Sequence, residues 1–126
     1  MSKKILSIDD SKMVHMVVAK TLKPLGLEVV TAANGEEGVA RAQAERPDLI
    51  LLDATMPVMD GITALGKLKE GADTRGIPVI MLSADSCQEN RDKASQLGAL
   101  KFITKPFTAE TLLNGLKDVI DLPVPA

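Results

Sequence analysis

The feature that most constrains the fold is a run of four aliphatic residues, Leu49–Leu52, that ends directly on a carboxylate, Asp53. A short apolar run bounded by turn residues is typical of a strand buried on both faces, as in a parallel sheet. A carboxylate at the end of such a strand is costly to leave unpaired. Because turn formation or helix capping would also explain a single Asp there, the other strand ends decide its role.

The rest of the chain alternates short apolar segments with segments of helical periodicity. Strands are predicted at Lys4–Ile8, Glu28–Thr31, Leu49–Leu52, Pro78–Leu82 and a fifth segment from Ala99 or Leu100 to Ile103. Helices are predicted to begin near Met13, Asn34, Gly61, Ser86 and Thr108. This alternation predicts a doubly wound α/β fold, with a parallel five-stranded sheet between helices. We expect one domain over residues 1–126, with a core at about 3–121 and a tail at 122–126.

The composition argues against several classes of function. The net charge is −2 and no basic run occurs, so nucleic acid and membrane surfaces have no electrostatic support as partners. Aromatic residues make up only 2% of the chain, which disfavours a base-stacking platform. A single cysteine fits a reducing compartment, and no stretch has the length of a membrane span or the pattern of an export signal. We therefore expect a soluble, cytoplasmic protein.

Four of the five predicted strands end at or just before a carboxylate, hydroxyl or ammonium side chain that could bind a ligand or take part in catalysis. They deliver, in chain order, Asp9 and Asp10, then Asp53, then Ser83, and finally Lys105. The carboxyl ends of parallel strands meet at one edge of the sheet, and ligands bind there at the switch in strand order. The sequence therefore predicts that these side chains converge on one site.

Such a site would favour phosphoryl transfer. Three carboxylates at one edge repel one another, by about 4 kcal/mol per pair at ~4 Å and an effective dielectric constant of ~20. Lys105 could offset one charge, and a divalent ion with oxygen ligands, Mg²⁺ above all, could offset two. A carboxylate beside a metal ion and a lysine can attack phosphorus and form an acyl phosphate. A structural cluster of ion pairs would use the same residues and is the competing interpretation.

Taken together, these motifs resemble the receiver domains of two-component response regulators, the CheY-like fold. The matching elements are Asp9-Asp10, Asp53 with Met56-Pro57 and Asp60-Gly61, Ser83-Ala84, and Lys105-Pro106-Phe107. The resemblance covers essentially Lys3 to Asp121. It implies a flavodoxin-like sheet with the strand order 2-1-3-4-5 and five helices.

The resemblance also implies a role for each residue of the site. Asp53 would be the phosphoacceptor, taking a phosphoryl group from a phosphohistidine on a sensor histidine kinase or a histidine phosphotransfer protein. Asp10 and Asp53 would bind Mg²⁺ directly, and Asp9 mainly through water. The backbone carbonyl of Thr55 would be a further metal ligand. Lys105 would pair with the phosphoryl group or with Asp53.

The remaining implied roles concern the switch and the output. Ser83 would move toward the phosphoryl group and Phe102 would turn inward, although a Phe lacks the ring hydroxyl of a Tyr. Lys105-Pro106 would be a cis peptide. Ser86–Leu97 has few apolar anchors, which predicts a mobile helix. We therefore predict that this segment, the fifth strand and the last helix form the face that binds the downstream protein, and that the chain is a monomer or a weak dimer. The only histidine, His15, is predicted to be a surface side chain.

We therefore predict a stand-alone signalling switch, not an enzyme, with chemotaxis-type output or onward transfer in a phosphorelay. An aspartyl phosphatase of related fold would need a second Asp two residues after the nucleophile, where Thr55 stands. A flavin or nucleotide carrier would need a neutral, donor-rich loop where Asp9-Asp10 stands. A receiver-like interaction module that takes no phosphate is the third alternative.

Overall fold

The computed structural model describes residues 4–53, 61–83, 92, 95–104 and 108–117. The strands in these ranges are β1 (Lys4–Ile8), β2 (Glu28–Ala32), β3 (Leu49–Asp53), β4 (Val79–Ser83) and β5 (Lys101–Thr104). The α-helices there are α1 (Lys12–Leu22), α2 (Gly35–Glu45), α3 (Gly61–Glu70) and α4 (Ala109–Lys117), and a 3₁₀ turn at Lys23–Leu25 follows α1. Each predicted strand is present, with bounds that differ by at most two residues.

Two of the predicted segments lie largely or wholly outside this description. The predicted helix at Ser86–Leu97 is described as helical only at Asp92, Ser95 and Gln96. The predicted tail at 122–126 lies outside the described residues. No helix in the described ranges has both the length and the apolar character that crossing a membrane requires.

The five strands form one parallel sheet in the order β2-β1-β3-β4-β5, as predicted. The chain first moves from β1 outward to β2, and then returns to the other side of β1 for β3. Ile8 lies opposite Leu52, and Leu52 lies opposite Met81. Because the three central strands are in this register, their carboxyl ends lie level at the point where the strand order reverses.

The sheet is covered on both faces, and β3 at its centre is buried along its whole length. Alternate residues of each strand point to opposite faces. One core cluster joins Leu6, Ile8, Ile50, Leu52 and Met81 to α2 and α3, and the other joins Ile5, Leu49, Leu51, Ile80 and Leu82 to α1 and α4. Burying one such aliphatic side chain contributes about 1.5–3 kcal/mol, so the strands that carry the acidic residues are firmly anchored.

Helix boundaries follow local capping signals. The side chain of Ser11 caps α1 by accepting a hydrogen bond from the Val14 amide at 3.4 Å. The side chain of Asn34 accepts one from the Glu37 amide at 2.8 Å at the start of α2. Such caps satisfy amides that have no partner within the helix. The Ser11 cap therefore fixes where α1 begins, three residues after Asp9.

Lys4 ties the amino end of β1 to the start of β3. Its amide donates to a carboxylate oxygen of Asp48 at 2.7 Å, and the Asp48 amide donates back to the Lys4 carbonyl at 2.7 Å. Its ammonium group donates to Glu45 at 2.8 Å, which raises the pKa of Lys4 and lowers the pKa of the Glu45 carboxyl. This pairing fixes the β1–β3 register from the end opposite the acidic residues.

Helix α2 approaches β1 closely at Gly38. A Cβ atom at this position would lie 2.5–2.7 Å from three side-chain carbons of Ile8. Ile8 is fully buried and directly precedes Asp9, so an added Cβ would force Ile8 or the helix to shift. The helix therefore needs a residue without a side chain here.

We predict opposite effects of alanine at two helical glycines. Gly38→Ala should lower the free energy of unfolding by about 1–3 kcal/mol, because it overpacks the core against Ile8. Gly66→Ala in α3 should raise it by about 0.5–1 kcal/mol, because no atom lies within 4 Å of the added Cβ and alanine favours helix. Urea unfolding followed by circular dichroism measures both. A Gly38→Ala chain as stable as the native one would contradict the close packing.

Candidate functional site

Three acidic side chains meet at the carboxyl edge of the sheet. Asp9 follows β1 and Asp53 ends β3, and the pairing of Ile8 with Leu52 places them on adjacent strands at the same level. Asp10 follows in the turn that leads into α1. One carboxylate oxygen from each of the three lies within 4.8 Å of the others. The structure thus brings together three of the residues that the sequence assigns to a metal site.

The chemistry of this cluster suits a hard divalent cation. Asp9 is fully buried and Asp53 is 4% exposed, whereas Asp10 is open to solvent and gives an ion access. Two carboxylates about 5 Å apart repel by about 3 kcal/mol at an effective dielectric constant of ~20, and a cation relieves that repulsion. An all-oxygen donor set favours Mg²⁺ or Ca²⁺ over the metals that prefer nitrogen or sulfur. The residues present therefore fit Mg²⁺.

Asp9 is held by three neighbouring elements. Its amide donates to the Ala32 carbonyl at the end of β2, at 3.0 Å. Its carboxylate accepts a hydrogen bond from the Ser11 amide at 2.9 Å. Its carbonyl accepts one from Nε2 of His15 at 2.7 Å. Hydrogen bonds within the protein therefore hold both the backbone and the side chain of Asp9 without any bound ligand.

His15 is half-buried, so its prediction as a surface side chain is wrong. Its Nδ1 atom lies 3.0 Å from Oγ of Ser7, and Ser7 is fully buried in β1. The first turns of α1 lie against the end of β1, and a buried hydroxyl group requires a hydrogen-bonding partner. A hydroxyl residue inside an otherwise aliphatic strand was the signal that could have revealed this contact.

The other residues predicted for the site are described only in part. The backbone of Ser83 ends β4 at the same edge as Asp53, since Asp53 lies opposite Leu82. The Ser83 side chain lies outside the described residues, as do Thr55, Lys105 and Pro106. The backbone of the sheet therefore carries Ser83 to the acidic edge, and the roles of all four residues stay predictions.

Phe102 lies in β5, which is adjacent to β4, the strand that ends at Ser83. It is half-buried, lies opposite Met81 and packs against the core cluster on the α2–α3 side of the sheet. A position that is neither fully buried nor open is compatible with core filling and with movement, so its predicted switch role stays a prediction.

Comparison with known proteins agrees with this geometry. Residues 5–117 match the family described as the response regulator receiver domain. The chemotaxis protein CheY of Bacillus subtilis is 39% identical over 123 residues, which are 96% of this chain and 100% of that protein. The chain spans about half the length of other curated relatives that it matches, probable transcriptional regulators among them.

Solved structures show the same fold. The chemotaxis protein CheY4 of Vibrio cholerae superposes with a TM-score of 0.90 at 36% identity, over 95% of this chain and 100% of that one. The receiver domain of the sensor histidine kinase PA1611 of Pseudomonas aeruginosa has a TM-score of 0.85 at 30% identity, over 94% and 98% of the two chains. That receiver domain was solved with a magnesium ion coordinated in its active-site cleft. The chain described here belongs to the response regulator receiver domain family.

Proposed function

We propose that this chain is a phosphorylation-operated signalling switch whose phosphoacceptor is Asp53. The observation that carries the proposal is the convergence of three carboxylates within 4.8 Å at the switch point of a receiver-type sheet. The phosphoryl donor is a phosphohistidine on a sensor histidine kinase or a histidine phosphotransfer protein. This donor class follows from membership of the receiver family.

The proposed cofactor is Mg²⁺. Asp10 and Asp53 would hold it directly, Asp9 would hold it mainly through water, and the backbone carbonyl of Thr55 would be a further ligand. When bound, the ion neutralises part of the negative charge on the acidic residues and on the transferring phosphoryl group. The oxygen-rich cluster and the magnesium ion in the PA1611 receiver domain support this assignment.

In the proposed reaction, a carboxylate oxygen of Asp53 forms a bond to phosphorus while the phosphorus–nitrogen bond of the donor histidine breaks. The leaving imidazole keeps the bonding electrons and takes up a proton. Lys105 pairs with the phosphoryl oxygens, and the hydroxyl of Ser83 donates a hydrogen bond to one of them.

We further propose that the signal leaves through protein–protein binding, in chemotaxis-type output or in a phosphorelay, and not through turnover of an external substrate. The proposed output face consists of Ser86–Leu97, β5 and α4, and Phe102 turns inward there on phosphorylation. Leu97 and Leu100, at 38% and 58% exposed, place apolar surface beside β5 and support this choice. The proposed setting is the cytoplasm, with one receiver domain over residues 1–126 acting as a monomer or weak dimer.

Phosphorylation of Asp53 is tested directly by intact-mass spectrometry. Incubation with Mg²⁺ and acetyl phosphate should add the mass of one phosphoryl group to the native chain, and a chelator should prevent it. Asp53→Asn should remain unmodified because it lacks the nucleophilic carboxylate. Asp73→Asn, which changes an exposed acidic residue outside the cluster, should react like the native chain. A native chain of unchanged mass in the presence of Mg²⁺ would overturn the proposal.

The metal site is tested by the stability of Asp10→Asn with and without Mg²⁺. In a chelator, this variant should unfold with a free energy about 1 kcal/mol higher than the native chain, because a partly solvated carboxylate no longer repels its neighbours. Saturating Mg²⁺ should stabilise the native chain more than the variant, since ligand binding stabilises only the form that binds it. Urea unfolding at constant ionic strength measures both effects, and Asp73→Asn serves as the matched control. An equal gain from Mg²⁺ in all three chains would argue against the site.

The output face is tested by amide hydrogen exchange. Phosphorylation should change exchange rates several-fold in Lys101–Thr104 and Ala109–Lys117, and leave those in Glu28–Ala32 at the opposite edge unchanged. Asp53→Asn treated in the same way should show no change in any of them. Changes restricted to the β2 edge would assign the output to a different surface.

A further inference from the structure

His15 of helix α1 contacts both Ser7 in β1 and Asp9 in the acidic turn that follows it. Ser7 has no solvent exposure, and the alternation along β1 directs its side chain to the same face as Ile5, the face covered by α1. On that face, Nδ1 of His15 lies 3.0 Å from the Ser7 hydroxyl. Nε2 of the same ring lies 2.7 Å from the carbonyl oxygen of Asp9.

The chemistry of the partners fixes the direction of these hydrogen bonds. A carbonyl oxygen can only accept, so Nε2 of His15 carries the hydrogen and donates it to Asp9. In the neutral ring, Nδ1 then has no hydrogen and accepts one from the Ser7 hydroxyl. The carbonyl of Asp9 therefore sets the tautomer of the ring, and the hydroxyl of Ser7 holds the ring at its other nitrogen.

That carbonyl belongs to the peptide group joining Asp9 to Asp10. A peptide group is planar, so holding its oxygen fixes the orientation of the whole plane. The amide of Asp9 is already fixed by Ala32, and its carboxylate by the amide of Ser11. The contact from His15 adds the constraint that sets the direction in which the chain continues to Asp10.

We propose that His15 is a positioning residue for the Mg²⁺ site, and that Ser7 acts on the site through it. The inference rests on the proposed function, because it assumes that the acidic cluster binds Mg²⁺. The three carboxylates repel one another, and the exposed Asp10 is the member with room to move away. A fixed Asp9–Asp10 peptide keeps Asp10 near its partners, so that metal binding does not have to order the turn. Neighbours that orient metal ligands typically change metal affinity by about 10–100-fold when they are removed.

The test compares Mg²⁺ dissociation constants, measured at constant ionic strength by titrating ¹⁵N-labelled chains and following their amide resonances. His15→Leu, which removes both hydrogen bonds, should raise the dissociation constant about 10-fold. His15→Gln should restore most of the affinity, because its side-chain amide can donate to the same carbonyl. Met16→Ala, on the exposed side of α1, should bind Mg²⁺ like the native chain.

Ser7→Ala tests whether the serine acts through the histidine. Alone, it should weaken Mg²⁺ binding, because the ring loses the partner that orients it. In the His15→Leu background the same change should have no further effect, since non-additivity of this kind marks residues that act through one another. Equal effects of Ser7→Ala in both backgrounds would assign Ser7 to core packing alone and overturn its part of the inference.

Two further measurements separate positioning from a general effect on folding. Imidazole ¹⁵N resonances of the metal-free native chain should show the tautomer with hydrogen on Nε2, which the hydrogen bond to the Asp9 carbonyl requires. Unfolding free energies of the same chains show whether a loss of affinity only follows a loss of stability. A His15→Leu chain that binds Mg²⁺ as tightly as the native chain would overturn the inference and leave the proposed function intact. A native chain that binds no Mg²⁺ would overturn both.

Discussion

The parallel pairing of β1 with β3 is the interaction on which the site depends. β3 is buried along its whole length and β1 from Ile5 to Ile8, and their register places the residue after Ile8 beside the residue after Leu52. A shift of one residue would turn every side chain of a strand to the other face and separate Asp9 from Asp53. The hydrophobic clusters on both faces and the two hydrogen bonds between Lys4 and Asp48 all oppose such a shift. The packing of aliphatic side chains thus offsets the repulsion between the clustered carboxylates.

The strands and the acidic cluster could be predicted from the sequence because each rests on a strong local signal. Short aliphatic runs between turn residues identify buried strands, and parallel strands bring their carboxyl ends to one edge. The convergence of Asp9, Asp10 and Asp53 follows from these two rules without any knowledge of distances. The separation of their oxygens and the unequal exposure of the three side chains could not be predicted, because both depend on how the turn after β1 is packed.

The contacts of His15 could not be predicted from the periodicity of helix α1. Periodicity places a residue on a helix, but the rotation of the first turn relative to the sheet depends on tertiary packing. Ser7 indicates the contact, because a hydroxyl in a buried strand needs a hydrogen-bonding partner, and here the covering helix supplies it. A polar residue in a core strand is therefore a prompt to search the next helix for its partner.

The closeness of α2 to β1 at Gly38 extends the site's mutational sensitivity well beyond its ligands. The atoms that a larger residue would displace belong to Ile8, whose neighbour in the chain is Asp9. A methyl group added at Gly38 would thus displace Ile8 and, through it, the backbone of Asp9 at the acidic edge of the sheet. A substitution of this glycine would therefore disturb the site although Gly38 takes no part in its chemistry. Loss of signalling at such a position reports on packing geometry, not on reactivity.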